Sequence, residues 1–329
     1  MKHGGNLDEA IAQYGGAIDA WLDLSTGINP WPWPPPRDLA DRIWQLLPSP
    51  AAEARLIDAA RIAYSVPAAA SAALAPGTQA VIQWLPRLAP AGAVAIIGPT
   101  YSEHVLAWTR AGREVVACIE IDELPEHVRH VVIVNPNNPD GRLANRAALA
   151  RSATQLAERG GWLIVDEAFA DLDPSCSAVQ LCGELPVIVL RSFGKFYGLA
   201  GLRLGFAIAA PDIIATIAEA LGPWAVSGPA LAIGDAALRD QDWAAQTRER
   251  LHHQAGQLDK VLSDAGLAVV GGTGLFRLVR YPRAGERHAA LARQQIWCRR
   301  FDWADDLLRF GLPDDAGLQR LAAALGAAV

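Results

Sequence analysis

Two stretches decide the fold: Trp162-Leu163-Ile164-Val165-Asp166-Glu167-Ala168-Phe169 and Val187-Ile188-Val189-Leu190-Arg191-Ser192-Phe193-Gly194-Lys195. In each, an apolar run without polar alternation stops on charged or small polar residues. Runs of this kind suit strands buried on both faces of a sheet. Working outward, the pattern recurs at 94–97, 114–118, 131–134 and 205–208. Segments 101–111, 145–159 and 212–221 lie between and carry apolar residues at helical spacing. The alternation predicts an α/β fold with a mostly parallel sheet covered by helices. In such sheets ligands bind beyond the carboxyl ends of the strands.

Composition agrees with a folded enzyme-sized chain. The protein has 329 residues, 51% of them apolar, and a net charge of 29 − 35 = −6. Disorder needs low hydrophobicity and high net charge, so it is excluded. The acidic balance and the lack of a Lys/Arg-rich run argue against a nucleic-acid surface. Four cysteines, none at C-x-x-C spacing, read as buried thiols rather than a zinc or redox motif. No metal-ligand set is evident. The start lacks the apolar core of a signal peptide, and the most apolar long stretch, 204–221, holds Pro211, Asp212 and Glu219. A membrane span is therefore not expected, and the expected compartment is the cytoplasm.

The expected organisation is a large domain over 41–228 and a small α/β domain from both chain ends. Residues 1–40 supply an arm and part of the small domain, and 229–329 a linking helix and the rest. Segment 229–262 reads as one long helix. Segments 269–280, 296–301 and 307–310 read as strands of the small domain, closed by a helix over 318–328. Trp31-Pro32-Trp33-Pro34-Pro35-Pro36 reads as a stiff connector, with a Pro-rich docking ligand as the alternative.

The strand ends carry the chemistry. Asp166-Glu167-Ala168-Phe169 closes one strand, and Asn135-Pro136-Asn137-Asn138-Pro139-Asp140-Gly141 follows another. Ser192-Phe193-Gly194-Lys195 follows a third, with Arg203 shortly after. Singly, these are a helix cap, a turn, a solvated lysine and a surface arginine. Together they fit a Schiff-base lysine and an electron-sink cofactor. Pyridoxal 5′-phosphate asks for that lysine, a carboxylate on the pyridine nitrogen, a donor to the phenolic oxygen and a phosphate cradle. Pro76-Gly77-Thr78-Gln79-Ala80, opening a helix, suits the cradle, with Ser192 and Arg203 completing it. Tyr101 offers a ring to stack on the pyridine.

This set resembles the fold-type I pyridoxal-phosphate enzymes, in the class I/II aminotransferase family, from about Leu22 to the C-terminus. The resemblance implies that Lys195 forms the imine, Asp166 pairs with the pyridine nitrogen and Asn138 donates to the phenolic oxygen. Ala168 lies beneath the ring and Tyr101 above it. Gly77, Thr78, Ser192 and Arg203 hold the phosphate. It also implies that Arg309, in Leu308-Arg309-Phe310-Gly311, grips the substrate carboxylate, and that the chain forms a homodimer. Two departures stand out. Phe169 replaces a tyrosine that many members use at the phenolic oxygen. No tyrosine stands near Leu47-Pro48-Ser49-Pro50, where many members reach the partner's phosphate.

Within the family, His3-Gly4-Gly5-Asn6 and Leu22-Asp23-Leu24-Ser25-Thr26-Gly27-Ile28-Asn29-Pro30 resemble the threonine-phosphate decarboxylases of cobalamin biosynthesis. A small phosphorylated amino acid is the implied substrate. His3, Asn29, Arg142, Arg277 and Arg300 are the candidates for its phosphate, with His3 and Asn29 foremost and Arg300 the reserve for the carboxylate. The cofactor motifs serve decarboxylation and transamination equally, so a histidinol-phosphate-type aminotransferase is the alternative. A non-catalytic cofactor-binding module would lack Lys195 or Asp166, and both are present.

Overall fold

A computed structural model describes residues 4–326. The chain divides into two compact units. Among the described residues, the larger holds 33–138 and 142–244, and the smaller holds 4–32, 139–141 and 245–326. The sequence placed these limits at 40/41 and 228/229; the contacts place them at 32/33 and 244/245.

In chain order the helices are α1 (Leu7–Tyr14), α2 (Arg42–Gln45), α3 (Pro50–Ala63), α4 (Thr78–Leu88), α5 (Ser102–Arg110) and α6 (Arg146–Glu158). Then come α7 (Phe193–Phe196), α8 (Pro211–Leu221), α9 (Gly228–Arg239), α10 (Gln241–Asp264), α11 (Ala284–Ala292) and α12 (Asp315–Leu325). The larger unit's strands are β2 (Ser71–Ala75), β3 (Ala93–Ile97), β4 (Val115–Cys118), β5 (Val128–Val134), β6 (Leu163–Asp166), β7 (Val187–Ser192) and β8 (Gly205–Ala209). They form one sheet in the order β2-β8-β7-β6-β5-β3-β4. The β4/β3, β3/β5, β5/β6 and β6/β7 pairs are parallel; β8 is antiparallel to both its neighbours. Strands β3, β6 and β8 are buried along their whole length, as their unbroken apolar runs require.

Helix α4 shows how the cover is made. Val81, Ile82 and Leu85 fall on one stripe and are at most 2% exposed. They pack with Trp108 of α5, Ile214 and Ile217 of α8 and the sheet residues Val132, Ile164 and Ile188. Removing the Leu85 side chain beyond Cβ would cost about 2–5 kcal/mol. On β5, the fully buried His130 is held by its neutral form. Its Nε2–H donates to the Pro90 carbonyl at 3.0 Å, and its Nδ1 accepts the Trp162 N–H at 3.2 Å.

The smaller unit's strands are β1 (Leu22–Leu24), β9 (Ala268–Thr273), β10 (Phe276–Arg280), β11 (Ile296–Phe301) and β12 (Ala304–Gly311), in the sheet order β1-β11-β12-β10-β9. Tyr14, Trp21 and Trp297 pack edge to face beside it, with centroids 6.1–6.5 Å apart.

Two expectations change. The single helix over 229–262 is two, α9 and α10, parted at Asp240. That residue's Oδ1 accepts the Trp243 N–H at 3.1 Å and its Oδ2 accepts the Trp33 Nε1–H at 3.0 Å. An Asp that caps a new helix this way ends the old one. The expected strand over 269–280 is the β9–β10 hairpin. The Trp-Pro segment is a packed connector: Trp33 is buried, and Trp31 lies under the Arg250 guanidinium at 3.6 Å.

Candidate active site

In the larger unit, β6 ends on Asp166, which is 3% exposed. Its Oδ2 accepts the Nε2–H of His104 at 2.9 Å, and its Oδ1 accepts the Ala168 N–H at 3.1 Å. His104 escaped the sequence analysis. The signal was its place one helical turn after Tyr101, which puts both on one face of α5. The two rings meet edge to face at 6.1 Å. The Tyr101 hydroxyl donates to Gln79 Oε1 at 3.3 Å, and Gln79 Nε2 donates to the buried Glu103 carboxylate at 2.7 Å. Burial, then Glu103 and Asp166, push the Tyr101 phenol up to about 12, against the pull of Arg203. Tyr101 therefore stays a neutral ring, within the field of both Asp166 and Arg203.

Gly77 caps α4 with φ of 80°, a conformation that favours glycine. A Cβ there would lie 2.5 Å from Nη2 of Arg203, and a Cβ at Gly205 would lie 2.6 Å from the Thr78 nitrogen. Ser192 pairs directly with Gly205 across β7 and β8. These two bare glycines let a guanidinium, a serine and the first amides of α4 converge. The arrangement suits an anion such as phosphate at the N-terminus of α4. Half-buried Lys195 follows on α7, directly after β7. Asn135 and Asn137 hold the loop that carries half-buried Asn138: Asn135 bonds both backbone groups of Ala144, and Asn137 accepts the Thr100 hydroxyl at 2.6 Å. Phe169 is buried and brings no hydroxyl. A buried carboxylate braced by an imidazole, a lysine just beyond the end of the neighbouring strand and a glycine-lined helix N-terminus fit pyridoxal phosphate.

Behind this face, Glu167 and Asp171 share the buried Arg191. Its guanidinium lies 2.7 Å from Glu167 Oε2 and 2.5 Å from Asp171 Oδ1, and 4.4 Å from the centre of the Tyr64 ring. Burial pushes the Glu167 carboxyl up, while Arg191, Ser177 and the Ala178 N–H hold it down. The network ties the ends of β6 and β7, one carrying Asp166 and the other leading to Lys195.

In the smaller unit, Arg309 is 7% exposed and donates from Nη2 to the Ser25 carbonyl at 2.7 Å. Arg299 stands directly opposite it in the β11/β12 register, whereas Arg300 stands opposite Leu308. Opposed residues of an antiparallel pair share a face. Arg299 is therefore the cation beside Arg309, a pairing that the linear sequence does not mark. Arg300 instead lies over α11, 3.4 Å from where a Gly285 Cβ would be. Burial, then Arg299, lower the Arg309 guanidinium to about 10, and Asp23 opposes them. A cleft of about 340 Å³ in this unit is lined by Arg299 and Arg300 with Glu9, Ser25, His288 and Trp297. Asn29 is buried and accepts the Trp31 N–H at 2.9 Å. His3 lies outside the described residues. Arg277 is ion-paired to Asp259, and Arg142 donates to the Gly98 and Ile119 carbonyls.

A family profile, Aminotransferase class I and II, matches residues 49–325. The chain belongs to the class I and II aminotransferases. Among relatives in this family, a threonine-phosphate decarboxylase of Sinorhizobium sp is 48% identical over 99% of this chain and 97% of its own. The threonine-phosphate decarboxylase of Pseudomonas aeruginosa is 42% identical over the same shares. Among solved aminotransferase folds, histidinol-phosphate aminotransferase from Sinorhizobium meliloti, in complex with pyridoxal 5′-phosphate, superimposes with a TM-score of 0.81. It covers 97% of this chain and 92% of that one, at 22% identity, a likeness of fold.

Proposed function

We propose that this chain is a pyridoxal-phosphate-dependent decarboxylase that converts L-threonine O-3-phosphate to (R)-1-aminopropan-2-yl phosphate and carbon dioxide. The observation that carries the reading is the likeness, at 48% and 42% identity over 99% of the chain, to two threonine-phosphate decarboxylases. The likeness to a histidinol-phosphate aminotransferase speaks for the fold alone.

Thr78, Ser192, Arg203 and the first turn of α4 would hold the cofactor phosphate, Asp166 its pyridine nitrogen, Asn138 its phenolic oxygen and Tyr101 its ring face. When bound, the cofactor supplies a sink for the electron pair left on the substrate Cα when the bond to carboxylate breaks. Asp166, braced by the His104 N–H, would pair with the pyridine nitrogen. Lys195 would take and return protons at the amine and at Cα, where a proton replaces the lost carbon dioxide. Arg309 would bind one end of the dianionic substrate and Arg299, sharing its face, the phosphate end.

We place the activity in cobalamin biosynthesis, in the cytoplasm and in a homodimer. No described helix is long and apolar enough to cross a membrane. Trp44, Leu46 and Leu47, each at least 65% exposed, offer a second copy an apolar face. The test is to incubate the cofactor-loaded protein with L-threonine phosphate and measure carbon dioxide. Release in step with loss of substrate is expected. Amino transfer to 2-oxoglutarate without gas would overturn the reading.

A further inference from the structure

The smaller unit joins three distant pieces of chain at Ser25, which is 1% exposed. Its hydroxyl donates to Asp23 Oδ1 at 2.6 Å and accepts the Gly5 N–H at 2.7 Å. Its own N–H donates to the same Asp23 oxygen at 2.8 Å. Its carbonyl accepts Nη2 of Arg309 at 2.7 Å. Gly4 lies against that same carbonyl, so closely that a Cβ at Gly4 would collide with the oxygen. Gly5 has φ of 83°, where a side chain would strain the backbone. On the β12 side, a Cβ at Gly311 would collide with the Thr26 carbonyl. The Ser25-Thr26 segment is thus pressed between bare backbone on both sides.

We infer that Gly4 and Gly5 are positioning residues for Arg309: they clamp Ser25, whose carbonyl fixes the guanidinium. The absent side chain at Gly4 is what the contact requires. With a methyl group there, either the arm lifts or the Ser25 carbonyl turns away from Arg309. This gives the paired glycines of the start and the Leu22-Asp23-Leu24-Ser25 stretch one shared purpose, at a site neither contains. The inference rests on the reading of Arg309 as a substrate-anion arginine.

The experiment uses the cofactor-loaded full chain, with KM and kcat for threonine phosphate and the dissociation constant of pyridoxal phosphate measured side by side. Arg309→Ala sets the scale. Gly4→Ala is expected to raise KM about tenfold, the worth of one hydrogen bond to a charged group, with kcat and cofactor affinity within about twofold of wild type. Ser25→Ala, which removes the partner of the Gly5 N–H and keeps the carbonyl, should raise KM about threefold. It stands in should Gly4→Ala fail to fold. Gly15→Ala is the control, since it also changes a glycine near the start, with the added strain of a positive φ, and a Cβ there would meet nothing within 4 Å. It should leave KM unchanged. A wild-type KM in Gly4→Ala and Ser25→Ala, beside a raised KM in Arg309→Ala, would overturn the inference and leave the function standing. An equal rise in Gly15→Ala, or an equal loss of cofactor affinity, would overturn it as general loosening. An unchanged KM in Arg309→Ala would remove the reading of Arg309 and the inference with it.

Discussion

The two candidate anion sites of this chain are built in different ways. In the larger unit, Asp166, Ser192, Lys195 and Arg203 come from one short run of chain that crosses the sheet and returns. Their positions follow from strand ends, and a few glycines bring them together. In the smaller unit, Arg309 is held by Ser25, and Ser25 by Gly5, three segments that meet only in the folded state. In the first region the charged groups sit on one local motif, completed by the distant α4 N-terminus and His104; in the second every member comes from a different part of the chain. The first should govern the chemistry on the cofactor, and the second the capture of substrate.

The largest expected effect tests that division. Asp166→Ala removes the buried carboxyl group that would pair with the pyridine nitrogen and should cut kcat about a thousandfold, with little change in KM. A variant that kept its rate and lost substrate affinity would break the comparison.

A second test separates the larger unit by its response to acid. Burial lowers His130 from 6.5 to about 4, against the pull of the Pro90 carbonyl. The folded pKa lies below the unfolded one. Between pH 6.5 and 4 the unfolded chain takes up a proton that the folded chain refuses, so stability falls as pH falls. The loss over that window should be about 3 kcal/mol. Urea unfolding from pH 7 to pH 4 would measure it, and His130→Gln should flatten the profile. A profile as steep in the variant would show that other groups set it.

The smallest effect sharpens the picture of the cofactor region. His104→Gln keeps a donor near Asp166 but loses the rigid ring and should lower kcat about fivefold, leaving KM unchanged. A change in KM alone would move His104 to the substrate side of the comparison.

Much of the larger unit was legible because its strands are Val- and Ile-rich and bounded by polar residues. Strand β2 was not. Ser71-Ala72-Ala73-Leu74-Ala75 has the composition of a helix, and only its pairing with β8 makes it a strand. The end of α9 hid in Asp240, whose capping depends on Trp33 far away in sequence. At the site, Asp166, Ser192, Lys195 and Arg203 could be named because they follow apolar runs. Arg299 could not be told from Arg300 without the β11/β12 register, since a shift of one residue exchanges the two faces. The carbonyl partners of Arg142 and the Asp259 partner of Arg277 are likewise invisible in a linear reading.

The Arg191 network has a consequence for protein engineering. Grafting the Asp166 and Lys195 segments into another parallel sheet would transplant Glu167 with them. Unless Arg191, Asp171 and Tyr64 travelled too, the recipient's apolar wall would receive a carboxylate with no guanidinium to meet it, a defect worth several kcal/mol. The smallest portable piece of this active site therefore includes the rear of the sheet as well as its front.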